Sequence, residues 1–175
     1  MDTKANFDFE AFFGEVQKAS LDFPGSAGIP IIRPKLNETQ AHFWSHMEID
    51  RLLKKAERVA LGERRMLRLA NPGTPDWKYA TPTMSVSVQH ILPGELALPH
   101  RHTANAIRFF IEGSAYTTVN HDKCEMEPGD LIVTPGWEWH DYGNEGNAVG
   151  VWLDALDLPI VQYLDACGYL NSLKE

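Results

Sequence analysis

The sequence predicts a mainly all-β protein, a sandwich or barrel of short strands, with helices at its N-terminus. After Gly62 the apolar residues recur at every second position, which is the period of a strand with one buried face. The apolar runs are short and are separated by Gly, Pro, Asn or Asp, a pattern typical of sandwiches and barrels. Before Gly62, two segments instead show the spacing of an amphipathic helix. A length of 175 residues suits one domain with a substantial core.

The first helical segment spans residues 6–20, where the apolar positions recur at i, i+3, i+4 and i+7. Its predicted apolar face comprises Phe9, Phe12, Phe13 and Val16. Residues 26–38 are predicted to be extended, because Pro30 and Pro34 exclude a helix.

The second helical segment spans residues 45–62. Ser45 followed by Glu48 predicts a capping box at its start, and Gly62 is a plausible stop. The side chains predicted to be buried are Ile49, Leu52, Leu53 and Ala56.

The predicted strands follow in order, with an NPG turn at residues 71–73. They are residues 64–70, 84–91, 106–113, 115–119, 124–126, 131–134 and 148–154. Residues 158–175 are predicted to form a partly helical or irregular tail. We expect this tail to pack through Leu158, Ile160, Val161 and Leu164.

The composition argues against several classes of partner. A formal net charge of −8 opposes binding to nucleic acid and to anionic membranes. The two cysteines, Cys124 and Cys167, form no CxxC motif and fit a reducing compartment. The N-terminal residues are acidic and lack the apolar centre of a signal peptide. We therefore expect a cytoplasmic protein.

Two histidines, His100 and His102, stand one residue apart at the start of an apolar run. Residues i and i+2 of a strand share a face, so both imidazoles point the same way. This arrangement suits a metal ion, although two solvent-facing histidines remain the alternative. His140, on a neighbouring strand, could complete a face of three imidazoles. Such a set leaves positions open on an octahedral ion for substrate and oxygen.

Two motifs surround these histidines. The first, G-x5-H-x-H ending in a glycine, comprises Gly94, His100, His102 and Gly113. The second, G-x5-P followed by H-x3-N, comprises Gly129, Pro135, His140 and Asn144. Together they resemble the two signature motifs of the cupin superfamily. Residues 87–113, 124–146 and 151–159 are similar to the N-terminal cupin domain of gentisate 1,2-dioxygenases and of the allied salicylate and 1-hydroxy-2-naphthoate dioxygenases.

The resemblance implies a double-stranded β-helix, also called a jelly-roll barrel. We expect an N-terminal helical and extended arm at residues 1–62, a cupin domain at 63–157 and a C-terminal tail at 158–175. The resemblance also implies a mononuclear Fe(II) ion held by His100, His102 and His140. Three neutral ligands leave the charge of the ion uncompensated, which favours a dianionic chelating substrate.

Further site residues follow from the same resemblance. Arg108 matches an arginine that helps to hold the substrate carboxylate, and its even spacing from His102 would put it on the histidine face if no bulge intervenes. The alternative for Arg108 is a salt bridge to a nearby Asp or Glu. Gln89 matches a glutamine that lines the substrate pocket, and Asp154 matches an aspartate near the active site.

Two further positions leave an alternative open or depart from the family pattern. Either Arg64 or Arg65 matches a region that supplies further substrate-binding arginines. Tyr142 replaces a histidine that many relatives carry after the third ligand. A phenol forms hydrogen bonds but is a poor proton shuttle near neutral pH, because its ordinary pKa is about 10.

The leading hypothesis is an Fe(II)-dependent ring-cleaving dioxygenase, with a small ortho-hydroxy aromatic acid such as gentisate and O2 as its substrates. The alternative is a metal-binding cupin without turnover, either a binding module or the inactive half of a two-cupin enzyme. Because related chains carry a second cupin domain, we also expect this chain to form a homodimer or a higher homo-oligomer.

Overall fold

A computed structural model describes residues 8–19, 39–57, 65–74 and 79–172. The chain divides into two compact units, residues 1–36 and 37–175. In the first unit, helix α1 (Phe9–Lys18) confirms the first predicted helix. The side chains of Phe9, Phe13 and Val16 and all of the predicted extended connector lie outside the described residues. The predicted boundaries after residues 62 and 157 stay predictions.

The second unit contains two antiparallel sheets that face each other, which confirms the predicted jelly-roll architecture. The strands are β1 (Arg65–Arg68), β2 (Ser85–Ile91), β3 (Leu96–His102), β4 (Ala106–Glu112), β5 (Ala115–Val119), β6 (Asp122–Met126), β7 (Leu131–Thr134), β8 (His140–Gly143), β9 (Gly150–Leu156) and β10 (Tyr169–Asn171). One sheet has the order β1-β2-β9-β4-β7, and the other has the order β10-β3-β8-β5-β6. We call them the arginine sheet and the histidine sheet, after Arg108 and His100. Successive strands mostly alternate between the sheets.

The core lies between the two sheets because both contribute apolar side chains to one cluster. Its buried members are Ile91, Ala97, Phe110, Ala115, Met126, Tyr142 and Trp152. Phe110 and Trp152 are opposite each other on β4 and β9 and are fully buried. Burial of each large apolar side chain contributes about 1.5–3 kcal/mol, so this pair anchors the arginine sheet.

Gly113, the last residue of the first motif, is required by the turn between β4 and β5. Its φ of 84° is a left-handed conformation, and an added Cβ would lie 1.7 Å from the carbonyl oxygen of Val149. A residue with a side chain meets both a backbone penalty and a steric clash there. The motif glycine therefore allows the strand carrying Arg108 to turn directly into the histidine sheet.

Helix α2 (His46–Ala56) packs on strands β1 and β2 and corrects several details of the prediction. Ser45 is the N-cap residue, but its side chain forms no capping hydrogen bond. Glu48 instead accepts hydrogen bonds from Arg51, so the predicted capping box is wrong. Leu53 is buried as expected, whereas Leu52 is 38% exposed. The helix ends at Ala56, and residues 58–64, including Gly62, lie outside the described part.

The tail contains a helix and a strand, of which only the helix was predicted. Helix α3 (Leu158–Tyr163) has the buried Pro159 in its first turn, while Ile160 and Leu164 are exposed, contrary to expectation. Strand β10 then pairs with β3, the strand that carries His100 and His102. No helix in the described ranges is both long enough and apolar enough to cross a membrane.

Candidate metal centre and substrate cavity

The three predicted histidines lie together on the inner face of the histidine sheet. His100 and His102 end strand β3, and His140 begins β8 directly opposite His100. The ring centroids of His100 and His140 are 4.2 Å apart, and those of His102 and His140 are 4.8 Å apart. One ligand nitrogen from each ring lies within 4.8 Å of the other two. His100 and His140 are buried, and His102 is partly buried.

A main-chain carbonyl two residues away in sequence orients each imidazole. The distances from Nδ1 to the carbonyl oxygen are 3.1 Å for His100 and Leu98, 2.8 Å for His102 and Ala104, and 2.9 Å for His140 and Glu138. A carbonyl oxygen only accepts hydrogen bonds, so Nδ1 carries the proton in each ring. The lone pair is then on Nε2, which is the neutral tautomer that a metal ligand needs.

This donor set fits a divalent transition-metal ion. Imidazole nitrogens bind such ions at about 2.0–2.1 Å, so three ligands of one ion lie no more than about 4.2 Å apart. The separation within 4.8 Å is close enough for small side-chain rotations to complete the site. Imidazole suits zinc, copper, iron and nickel alike, so the donor set by itself does not choose among them.

The histidines line a cavity of about 270 Å³ between the two sheets. All seven metal-binding and catalytic residues predicted from the sequence line it: Gln89, His100, His102, Arg108, His140, Tyr142 and Asp154. The histidines and Tyr142 belong to the histidine sheet, and the other three belong to the arginine sheet. The cavity therefore places a candidate metal centre opposite a buried charged cluster.

Arg108 and Asp154 form a buried ion pair at the arginine sheet. They are direct cross-strand neighbours on β4 and β9, and each is at most 5% exposed. Arg108 donates from Nε to Oδ1 of Asp154 at 2.8 Å and from Nη2 to Oδ2 at 3.0 Å. Burial alone would lower the pKa of Arg108, but the attraction and hydrogen bonds of Asp154 raise it. The salt bridge left open by the sequence is present, and Arg108 nevertheless lines the cavity.

A chain of hydrogen bonds joins this ion pair to Tyr142. The side-chain amide of Gln89 donates to Oδ2 of Asp154, and its carbonyl oxygen lies 3.3 Å from the hydroxyl of Tyr142. A carboxylate oxygen only accepts, so the amide group of Gln89 must face Asp154. Tyr142 is therefore the donor to Gln89. The ring of Tyr142 also lies 5.0 Å from the guanidinium carbon of Arg108.

Two parts of the sequence reasoning need correction. The even spacing from His102 would put Arg108 on the histidine face, but β3 ends at His102 and β4 belongs to the facing sheet. Both side chains reach the cavity because both sheets face inward. Arg65 does not line the cavity, since it forms an ion pair with Glu95. Arg64 lies outside the described residues.

Several cavity residues escaped the sequence reasoning. Met66 and Arg68 on β1, with Ser85 and Ser87 on β2, line the same space. Alternation on β2 could have indicated the serines, because Gln89 was already placed and shares their face. Tyr169 on β10 also lines the cavity, with its ring centroid 5.8 Å from that of His100. Nothing in the sequence indicated that the tail would pair with β3.

Comparisons with known proteins agree with this geometry. A family model described as a cupin domain matches residues 87–156. A gentisate 1,2-dioxygenase from Ralstonia sp. is 45% identical over 143 residues, which is 79% of this chain and 40% of the relative. The salicylate 1,2-dioxygenase from Pseudaminobacter salicylatoxidans superposes with a TM-score of 0.84 at 34% identity, over 98% of this chain and 51% of that one.

A second structure of the same enzyme, described as an adduct with gentisate, superposes with a TM-score of 0.83 at 34% identity. It covers 98% of this chain and 49% of that one. The chain thus spans about half the length of this enzyme and less of the curated relative. Residues 87–156 match the cupin domain in sequence and fold, in a chain that is similar to the gentisate and salicylate dioxygenases.

Proposed function

We propose that the chain belongs to an Fe(II)-dependent dioxygenase that opens the ring of an ortho-hydroxy aromatic carboxylic acid such as gentisate. Both atoms of O2 enter the product, and the bond between the carboxyl-bearing and hydroxyl-bearing carbons breaks. The observation that carries the proposal is the placement of three Nε2 lone pairs opposite the Arg108–Asp154 pair in one cavity. The similarity to gentisate and salicylate dioxygenases supports the choice of substrate class.

His100, His102 and His140 would hold the metal as neutral ligands. When bound, iron would supply the redox chemistry that ring cleavage by O2 requires. Three neutral ligands favour an anionic chelating substrate, because charges attract strongly where water is excluded. A phenolate and its ortho carboxylate together match that requirement.

Arg108 is proposed to orient the substrate carboxylate. A guanidinium has five N–H donors, and Arg108 uses three of them, two on Asp154 and one on Thr117. The remaining hydrogens on Nη1 and Nη2 are available to an acid in the cavity. Asp154 fixes the guanidinium plane, so we propose that it acts by positioning Arg108.

Gln89 and Tyr142 are proposed to form the wall nearest the substrate hydroxyl. Because the Tyr142 hydroxyl donates to Gln89, its oxygen can accept a hydrogen bond from a hydroxyl of an incoming acid that does not bind the metal, such as the second hydroxyl of gentisate. Both residues are less than 10% exposed, so this contact would exclude water from that side of the ring. The proposed role of Tyr142 is to orient the substrate, while its hydroxyl proton remains in the hydrogen bond to the carbonyl oxygen of Gln89.

The proposal is tested by oxygen uptake after anaerobic loading with Fe(II). Gentisate, salicylate and 1-hydroxy-2-naphthoate form the substrate panel, and oxygen consumed should match ring-opened product one to one. His102→Ala should abolish uptake. His121→Ala is the matched control, because His121 is exposed and does not line the cavity. Absence of uptake with the whole panel, with ferrous iron shown to be bound, would contradict the proposal.

That outcome would favour the second candidate, a metal-binding cupin without turnover. The observation that favours this second candidate is Tyr142. It is a hydrogen-bonding group at a position where many relatives carry a histidine. Metal binding without uptake in the wild type, and uptake after Tyr142→His, would separate the two candidates.

We also propose that the protein acts as a homo-oligomer in the cytoplasm. An exposed apolar patch supports self-association of the chain. Four apolar side chains on the outer face of β4 and β7 are 44–64% exposed: Ile107, Phe109, Leu131 and Val133. They form cross-strand pairs, Ile107 with Val133 and Phe109 with Leu131, and so make a continuous patch. Light scattering should give at least a dimer, and a Leu131→Lys variant should dissociate it. A 19.7 kDa monomer at micromolar concentration would contradict this proposal.

A further inference from the structure

Four cavity residues form one row across the arginine sheet. Arg68 pairs with Ser87, Ser87 with Asp154, and Asp154 with Arg108. Cross-strand partners share a face, and neighbouring strands lie about 4.8 Å apart. The backbone positions of the two arginines are therefore about 14 Å apart, at opposite ends of the row.

The carboxylate in this row is held by the residues around it. Its Oδ2 accepts hydrogen bonds from Arg108, Gln89 and the indole of Trp152, and its Oδ1 accepts one from Nε of Arg108. Arg108 therefore binds both carboxylate oxygens and matches the charge of Asp154 without Arg68. The Arg108–Asp154 pair is electrically balanced, and Arg68 adds a positive charge beyond it.

Arg68 has no ion pair with any carboxylate of the described residues. Its guanidinium carbon lies over the ring of Tyr79 at 5.4 Å from the centroid. The hydroxyl of Tyr79 in turn donates to Gln162 on α3 at 2.5 Å. Stacking on a ring leaves the N–H edges of a guanidinium available to a planar acceptor. Arg68 is thus an oriented cation on the cavity wall.

Two small polar residues lie beside Arg68. Ser85 and Ser87 are each 6% exposed and line the cavity on β2. Neither hydroxyl forms a hydrogen bond to another described residue, and because both serines line the cavity, a ligand there can supply the partner. Their small size also leaves space next to the guanidinium.

We infer that Arg68, with Ser87 beside it, recognises a second anionic substituent on the aromatic acid, remote from the carboxylate and hydroxyl that face the histidines. This inference deepens the proposed function and rests on it for the orientation of the ring. The charges agree with it, because a chelating phenolate and carboxylate match a divalent ion, and the extra charge of Arg68 matches a further anion. The preferred substrates are then ortho-hydroxy acids with a second carboxylate or a similar group.

The test compares binding of two acids by titration calorimetry to the whole chain loaded with Zn(II), which is redox-inert. Salicylate has one carboxylate, and 4-hydroxyisophthalate is salicylate with a second carboxylate para to the hydroxyl. The wild type should bind the diacid about tenfold more tightly, equivalent to about 1.4 kcal/mol. Arg68→Gln should remove this preference without changing the affinity for salicylate, and Arg68→Lys should keep part of it. Higher salt should reduce the preference, since Arg68 is exposed.

Arg51→Gln is the matched control, because Arg51 is an exposed arginine of α2 outside the cavity. It should leave both affinities unchanged. Equal diacid binding by the wild type and Arg68→Gln, with salicylate still bound, would overturn the role of Arg68 and leave the proposed function standing. An Arg68-dependent preference in a protein without oxygen uptake would support the binding site and contradict catalysis. If neither acid binds, both proposals fail.

Discussion

Replacing Asp154 with Asn should destabilise the protein strongly. The isosteric amide keeps the volume but removes the counter-charge of Arg108, and it turns an NH2 group towards donors. Both partners are at most 5% exposed, and Asp154 accepts four hydrogen bonds. Removing one partner of such a buried pair costs about 3–5 kcal/mol. At about 2–4 °C per kcal/mol for a chain of this size, the melting temperature should fall by about 6–20 °C.

The assay is urea unfolding of the metal-free protein, followed by intrinsic fluorescence. Asp122→Asn is the control, because Asp122 is exposed at the start of β6 and should change stability by less than about 0.5 kcal/mol. An Arg108→Met, Asp154→Leu double variant should recover much of the loss, since both charges then leave together. A loss below about 1 kcal/mol in Asp154→Asn would refute the reasoning, because a water-exposed pair has that value.

Three further predictions concern the metal, the hydrogen-bond chain and pH. His102→Ala should lose the bound metal in elemental analysis, and full retention would remove His102 from the ligand set. Tyr142→Phe should weaken binding of gentisate about fivefold by removing one neutral hydrogen bond of about 1 kcal/mol, measured by calorimetry with Zn(II); unchanged affinity would exclude the proposed contact. Burial lowers the pKa of His90, against an opposing attraction from Glu57, so the unfolded state takes up the proton first as pH falls. The free energy of unfolding should therefore decrease below pH of about 6.5, and His90→Gln should reduce this decrease in urea titrations at pH 7.5 and 5.5.

The candidate site residues that lie together in the cavity, as expected, are those whose chemistry and spacing both constrain them. His100, His102 and His140 are held by a short strand period and by glycines at fixed turns, so motif and geometry agree. Tyr142 and Asp154 were placed by resemblance, and the registers of β8 and β9 bring them into the same cavity. For these residues, the local sequence motif was enough to predict that the side chains lie in one cavity.

The errors occur where non-local contacts decide. Arg65 and Arg68 belong to one short strand, and only its pairing with β2 determines which of them faces the cavity. Ser45 has the sequence of a capping residue, yet Glu48 is held by Arg51 instead. Strand β10 has no apolar alternation of its own, and its hydrogen bonds come from β3. A local sequence pattern does not show which of several possible partners a side chain or strand will bind in the folded protein.

The two halves of the cavity differ in how readily mutation can change them. The Nδ1 proton of each histidine in the metal centre is accepted by a main-chain oxygen, of Leu98, Ala104 or Glu138, and no substitution at those positions deletes a carbonyl. The charged wall opposite depends wholly on side chains, so single codon changes can rearrange it. Metal affinity should therefore tolerate sequence drift, while substrate preference can diverge quickly between relatives. Libraries that aim to broaden the range of acids should vary the arginine sheet and leave the histidine strands unchanged.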